Sequence, residues 1–422
     1  MKYKTLNIHP ILYCIIAVIL SAFIGFCLIS LSYLINPINA KQNILQSSFS
    51  LLQEQDISPR INKTFPGSKK DNFTTSLMLN ISSYSDTSKP FYYAATNPRV
   101  EYKQKNNHAN LFISSFHNNT DSATIVNYHR YWHGYILILR LLINIYNLKE
   151  IRLINLFIGS ILLLITLFYI YQKLGLKISL GFALTIFYLN PITMCTSIPY
   201  TNIYFISLLS IILLLKTSIT PYKILLFAGI LTAFFDTLTA PLAPLGLSLT
   251  ILCLKNKTNI KNDLKQIIFL SIAFSFGYSF MILQKWLITS IITQNNILNE
   301  IYINLLFRMK GTPFLETGIK DFNYITTIKR NLLELQSPTS LIALAIYLLL
   351  VCIISLQKKE FTLNKDYKTY LLLFISSFPF IWYFIFQNHS FVHPLMSFRE
   401  LSISIFALTA ILSTILTNKD NK

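Results

Sequence analysis

The stretch ILYCIIAVILSAFIGFCLISLSYLI, residues 11–35, decides the fold class of this chain. It contains no charged residue, and it exceeds the roughly 20 apolar residues that a transmembrane helix needs. A secretory signal has a similar charged start, here Met1-Lys-Tyr-Lys4, but its apolar core is only about 7–15 residues long. We therefore predict a retained first transmembrane helix whose amino terminus lies in the cytoplasm.

The rest of the chain has the same apolar character. Hydrophobic residues make up 53% and charged residues 13%, with a mean hydropathy of +0.50, whereas soluble domains carry about 25% charged residues. We predict an all-α polytopic membrane protein in which residues 1–422 form a single integral membrane domain. About ten spans are expected; those after the first lie at 151–171, 178–190, 201–215, 223–236, 242–254, 266–288, 339–356, 369–387 and 400–417.

The net charge of +19 is compatible with a nucleic-acid partner, but the positions of the lysines argue against one. They cluster in alternate short loops, whereas the proposed outer turns 191–200, 237–241 and 388–399 hold a single Arg or Lys, Arg399. This asymmetry predicts a multi-pass protein of the plasma membrane with both termini in the cytoplasm. The clustered lysines are Lys173, Lys177, Lys216, Lys223, Lys255, Lys257, Lys261, Lys265, Lys358, Lys359, Lys365 and Lys368.

Two long loops are predicted on the outer face, at 36–133 and 289–338. The first is rich in Asn, Ser, Lys and Tyr, and its segments 74–81 and 109–116 are expected to form short interfacial helices. The apolar segment 134–148 is expected to lie along the membrane surface. The five cysteines all fall in or beside apolar runs, so we predict neither a disulfide framework nor a zinc site.

Two carboxylates stand at the outer face beside apolar sequence. Asp71 opens a segment that becomes apolar, so it is either a helix N-cap or a general base. Asp236 lies where the fifth span meets a charge-free turn, and it either caps the next helix or contacts substrate. Charge near lipid is costly, so both residues are candidates for a functional role.

The last outer turn contains His389, His393 and Arg399. The histidines have the spacing of a helical metal pair, but Pro394 argues against a continuous helix, so no metal ligands are assigned. A guanidinium fork suits phosphate, so we assign anion recognition to Arg399, with the histidines as hydrogen-bond donors.

The first outer loop ends in Tyr128-His-Arg-Tyr-Trp-His-Gly134. Its aromatic residues are typical of an interfacial belt at the membrane surface. In the alternative interpretation, Arg130 and His133 face the same outer cavity as Asp236 and Arg399. Because isolated charges near lipid need polar partners, Asp71, Arg130, Asp236, His389 and Arg399 are expected to line one outer-facing cavity. Asp71 is the catalytic candidate, and the substrate-binding candidates are Arg130, His133, Asp236, His389, His393 and Arg399.

A first span at 11–35, a long loop with Asp71 and a helical approach through 134–150 together resemble the GT-C superfamily of membrane glycosyltransferases. The resemblance covers the layout of about the first 250 residues. It implies an acidic catalytic residue in the first outer loop and a polyprenyl-phosphate-linked sugar as donor. This chain lacks the paired Asp-Asp or Asp-Glu directly after the first span, so Glu54 and Asp56 remain alternatives to Asp71.

The resemblance implies hexosyl or pentosyl transfer at the outer face, with Asp71 as base and Arg399 holding the donor phosphate. No cofactor is expected; some superfamily members use a divalent metal, but this sequence does not require one. A polysaccharide polymerase or ligase is an alternative, with its site in 289–338. A lipid or sugar transporter is another, although the repeated halves typical of transporters are not found.

Overall fold

The computed structural model describes residues 10–37, 41–54, 58–102, 123–256, 259–311, 322–357 and 367–415. The structure is 79% helical, which confirms the all-α class apart from one short hairpin. The helices in chain order are α1 (Pro10–Tyr33), α2 (Lys41–Gln53), α3 (Asn72–Ser82), α4 (Pro90–Thr96), α5 (Ile136–Ile143), α6 (Leu148–Leu174), α7 (Leu176–Leu189), α8 (Pro191–Thr196), α9 (Ile198–Lys216), α10 (Pro221–Phe235), α11 (Ala243–Lys255), α12 (Ile260–Thr293), α13 (Leu298–Lys310), α14 (Tyr324–Leu333), α15 (Pro338–Gln357), α16 (Lys368–Ser376), α17 (Phe378–Ile385), α18 (Gln387–Val392), α19 (Pro394–Ser397) and α20 (Ser402–Ile415).

Seven helical segments of the described chain are long and apolar enough to cross a membrane. Five are the single helices α1, α6, α9, α12 and α15, and two are composite, Lys368–Ile385 and Pro394–Ile415. The apolar helices α7, α10 and α11 are shorter, at 14, 15 and 13 residues. The chain is therefore membrane-embedded, while the number of crossings stays a prediction.

Local sequence explains where the helices begin and how closely they pack. A capping box starts α6, because Asn147 accepts from the backbone of Glu150 and the Glu150 side chain accepts from the backbone of Asn147. Gly229 of α10 faces the Phe274 carbonyl of α12, and Gly277 of α12 faces the Leu226 carbonyl. A Cβ at either glycine would collide with backbone, so the two glycines allow α10 and α12 to lie in direct contact.

The first long loop folds into helices and a hairpin. The predicted interfacial helix at 74–81 lies within α3, most of whose residues are buried. The segment 109–116 lies outside the described residues. Strands β1 (Pro98–Tyr102) and β2 (Ala123–Asn127) pair antiparallel. This hairpin was not predicted from the sequence.

Two buried cations attach this loop to the bundle. Arg140 of α5 donates to the carbonyl oxygens of Ile35, Ser82 and Tyr84, and it is fully buried. It therefore closes the ends of α1 and α3 from inside the protein, where helix carbonyls carry partial negative charge. Lys285 of α12 is also fully buried and donates to two carbonyls at the end of α4, each at 2.8 Å.

Candidate functional site

A cavity of about 790 Å³ lies between α11, α12, α13, α17 and the end of the first loop. Most of its wall is apolar or aromatic, and Phe274, Trp286 and Ile381 are representative. Arg130 and Arg308 also line it. An apolar space with a few polar groups is the usual form of a small-molecule site.

The two arginines are held by neutral partners. Arg130 donates to Oδ1 of Asn304 at 2.8 Å, and one N–H group of Arg308 bonds Nδ1 of His389 at 2.8 Å. Neither arginine takes part in an ion pair with another described residue. Two uncompensated guanidinium groups beside an apolar space favour an amphiphilic ligand with an anionic end.

Asp236 lies behind this wall, directly after α10. Its carboxylate accepts the backbone N–H of Thr239 at 2.9 Å and also the Thr239 hydroxyl. Burial raises the pKa of Asp236 to about 6, and the Thr239 bonds only partly oppose this shift. Tyr131 lines the cavity, and its pKa is raised by burial and, to a smaller extent, by the charge of Asp236. Asp236 is thus a turn-capping carboxylate near the cavity, and its pKa lies closer to neutral pH than that of an exposed aspartate.

Glu400 is a second buried carboxylate in this region. Its Oε1 accepts the backbone N–H of Leu242 at 2.9 Å, and Leu242 lines the cavity. Its Oε2 atom has no partner among the described residues. Because Asp236 and Glu400 repel each other electrostatically, the region between them disfavours two full negative charges.

The two histidines of the last outer turn pack together behind Arg308. Their ring centroids are 5.0 Å apart. Burial and the charge of Arg308 hold the pKa of His389 well below its usual range and lower that of His393 to about 4. Both rings are therefore neutral at physiological pH. The described residues include no group of three or more His, Cys, Asp or Glu arranged to hold a metal ion.

Asp71 and Arg399 form a separate cluster that is enclosed by protein. Asp71 is the N-cap of α3, because Oδ1 accepts the Thr74 N–H at 2.8 Å. Its Oδ2 has no partner among the described residues, and burial raises its pKa. The Arg399 guanidinium stacks on Tyr200 at 3.7 Å and is 1% exposed. The adjoining void of about 10 Å³ is too small for a ligand.

The remaining acidic alternative, Glu54, belongs to an ion-pair network. It bonds Lys70 at 2.6 Å and Arg152 at 2.7 Å, and Asn72 donates to its other oxygen. Burial alone would raise the pKa of Glu54, but Arg152 and Lys70 outweigh it and the pKa is lowered. Glu54 is therefore held as a paired carboxylate rather than a base, and Asp56 lies outside the described residues.

His133 lies three residues after Arg130, and hydrogen bonds hold its ring in place. Its ring nitrogens contact the Tyr128 carbonyl and the Tyr135 hydroxyl, each at 2.8 Å, and the residue is 1% exposed. Burial, with a contribution from nearby cations such as Lys285, lowers its pKa to about 3. Its neutral ring supports the end of the first loop, and His133 is not among the described residues that line the cavity.

Six of the seven predicted site residues fall into two groups in the structure, and His133 belongs to neither. Arg130 lines the cavity, and Asp236, His389 and His393 lie behind its wall. Asp71 and Arg399 lie together in the enclosed cluster, where their opposite charges attract each other. No role was assigned to Arg308 from the sequence, although it shares one face of α13 with Ile301, Asn304 and Leu305, which line the cavity too.

Comparison with known proteins assigns neither a family nor a function to the chain. No protein-family model, curated protein or solved structure matches the chain. The function is therefore argued from the site itself.

Proposed function

We propose that the protein is a membrane glycosyltransferase of the GT-C type that moves a sugar from a polyprenyl-phosphate-linked donor to an acceptor at the outer face. The observation that carries this proposal is the cavity of about 790 Å³, apolar along most of its wall and lined by Arg130 and Arg308. A lipid-linked sugar has the same division, because its prenyl chain is apolar and its phosphate is anionic.

Each part of the donor has a matching part of the cavity. The prenyl chain is expected to lie against the apolar residues of α12 and α17, such as Phe274 and Ile381. The phosphate is expected between Arg130 and Arg308, whose guanidinium groups present N–H donors in a fixed fork. When the glycosidic bond breaks, the phosphate leaves as an anion, and the two cations stabilise its growing charge.

Asp236, directly behind the cavity wall, is proposed as the general base that removes the proton from the acceptor hydroxyl, which is expected to reach it past Leu238. Its pKa of about 6 lies near physiological pH, which is the range in which a carboxylate accepts a proton efficiently while remaining largely ionised. The Thr239 N–H holds it at the end of α10, close to the cavity wall formed by Leu238. The earlier expectation for Asp71 becomes the alternative, since Asp71 caps α3 in an enclosed cluster.

A transporter of lipid-linked sugars is the second candidate. One observation favours it: the described residues that line the cavity include no carboxylate. Such a protein would bind the same ligand without transferring its sugar. The polymerase or ligase alternative gains support from α13, which belongs to the second predicted loop and contributes Arg308.

The proposed topology has ten spans, both termini in the cytoplasm and loops 36–133 and 289–338 outside the plasma membrane. Thr64 and Lys261 test it, because both are exposed and are predicted on opposite sides. In a variant whose native cysteines are replaced by serine, an impermeant thiol reagent applied to intact cells should label Thr64→Cys and leave Lys261→Cys unlabelled. The reverse pattern would invert the orientation.

The functional test compares binding and sugar transfer in purified protein. Wild type should bind a polyprenyl monophosphate in detergent and should transfer sugar from one of a panel of polyprenyl-phosphate hexoses and pentoses. Arg130→Gln/Arg308→Gln should weaken binding roughly 100-fold, because two charge-assisted contacts are lost. Arg99→Gln, which also removes an arginine that packs on Tyr128, is the matched control and should bind normally.

The outcomes of this test separate the candidates. Binding that is lost in the double variant together with sugar transfer by wild type supports the transferase. Binding of the same strength without transfer, but with movement of labelled lipid across vesicles, favours the transporter. Equal binding by wild type and the double variant would overturn the proposed ligand site.

A further inference from the structure

A strained turn after α10 directs a backbone carbonyl toward the ring of His389. Leu238 has φ +72°, in the left-handed region that a branched side chain seldom adopts. Asp236 holds this turn by accepting the Thr239 N–H at 2.9 Å. As a result, the Leu238 carbonyl oxygen lies 2.9 Å from Nε2 of His389. Strain retained at one residue and stabilised by a neighbouring carboxylate is typical of functional sites.

His389 connects this turn to Arg308 through a hydrogen bond at each of its ring nitrogens. The Leu238 carbonyl can only accept, so Nε2 of the neutral ring carries the proton and Nδ1 is left as an acceptor. Nδ1 lies 2.8 Å from one N–H group of Arg308, so this guanidinium nitrogen donates to it. The His389 side chain is 4% exposed, and both of its nitrogens are used. A rigid ring thus connects a fixed turn to an arginine that lines the cavity.

We propose that His389 is a positioning residue that orients the Arg308 guanidinium toward the anionic end of the ligand in the cavity. This inference rests on the proposed function, because it takes that anionic end to be a phosphate. An arginine side chain has many rotamers, and ordering one on binding costs free energy. With one nitrogen fixed by His389, the remaining N–H groups of Arg308 are ordered before the ligand arrives, so binding is tighter.

Two substitutions of His389 separate the two ring nitrogens. His389→Gln places an amide N–H near the Nε2 position and keeps the Leu238 bond, but it leaves no acceptor for Arg308. His389→Asn places an amide oxygen near the Nδ1 position, so it keeps the Arg308 bond and loses the other. With a polyprenyl monophosphate as probe, His389→Gln should bind about tenfold more weakly, whereas His389→Asn should stay close to wild type. A purely structural role of the ring predicts no such difference.

A double-mutant cycle adds an independent readout. If His389 acts through Arg308, then His389→Gln/Arg308→Ala should bind no more weakly than Arg308→Ala alone. Ser390→Ala is the control, because the Ser390 hydroxyl is buried on the same helix and has no partner among the described residues. This control should bind normally. If His389→Gln does not fold, His389→Ala is placed in the same cycle.

The possible failures can be distinguished. Weaker binding by Arg308→Ala but not by His389→Gln would overturn the positioning role and leave the phosphate site intact. Additive losses in the double variant would also overturn it, because they would show that the two residues act separately. Unchanged binding by Arg308→Ala would overturn the phosphate site, and the positioning role with it.

Discussion

Two regions of the protein hold an arginine beside an aromatic ring, and the two differ in what surrounds the guanidinium. Arg399 is enclosed, with the Tyr200 ring on one face and Sδ of Met194 at 3.2 Å from its Nε. Arg308 also contacts a ring, that of Tyr131, but it borders a cavity of about 790 Å³. The same residue type is therefore sealed into the bundle in one region and turned toward free space in the other.

This difference shows that a buried charge in a membrane protein does not by itself mark a binding site. Arg140 and Lys285 are as buried as Arg399, and both donate to backbone carbonyls at helix ends. A cation of that kind joins elements together. An empty volume beside a cation that has no ion-pair partner is the better indicator of a ligand. In the described chain, Arg130 and Arg308 have this arrangement.

The largest expected effect compares one carboxylate from each region. Asp236→Asn keeps an oxygen for the Thr239 N–H but cannot take a proton, so sugar transfer should fall roughly 100-fold or more while lipid-phosphate binding changes little. Asp71→Asn should transfer sugar at the normal rate per folded molecule. Rates and binding are measured on purified proteins. A large loss in Asp71→Asn alone would assign the base to the enclosed cluster.

A smaller effect is expected from pH. Burial raises the pKa of Asp236 to about 6, so the group is protonated and inactive as a base below that pH and ionised above it. The value of kcat/KM should therefore increase as pH rises from 5 to 7, with a midpoint near 6, and then level off. The residual activity of Asp236→Asn should lack this step. A step that persists in this variant would show that another group is titrating.

The smallest effect is expected from removing the cap in the enclosed cluster. Asp71→Ala loses the bond from Oδ1 to the Thr74 N–H, which should lower stability by about 0.5–2 kcal/mol. Thermal unfolding in detergent should show a lower midpoint, with normal binding of a polyprenyl monophosphate. Unchanged stability together with lost binding would mean that Asp71 contacts the ligand.

The apolar helices were predictable because apolar length is a local property. Each of the ten predicted positions overlaps at least one helix, and seven segments of the described chain are long and apolar enough to cross a membrane. The hairpin of β1 and β2 was not predicted, because its strands pair across residues 103–122 and register depends on contacts that are distant in sequence. The burial of α3 also depends on the bundle around it rather than on its own residues.

The site was predictable only in part. A basic residue among aromatics at the end of an outer loop identified Arg130, and an isolated carboxylate at a span end identified Asp236. Arg308 was missed because its place in the cavity wall depends on α13 packing beside the cavity, which no local pattern indicates. Arg399 had a similar local signal to Arg130, but tertiary packing seals it among Tyr200 and Met194.

The Lys285 contacts described above attach one wall of the cavity to the first loop. Lys285 joins α12 to α4, and on the same helix Trp286 donates to the Arg130 carbonyl at 3.1 Å, so α12 is bonded to the first loop at two places. By contrast, α13 buries a single residue, Ile301, and exposes an apolar face. We infer that a long lipid reaches the cavity sideways, past the exposed apolar face of α13.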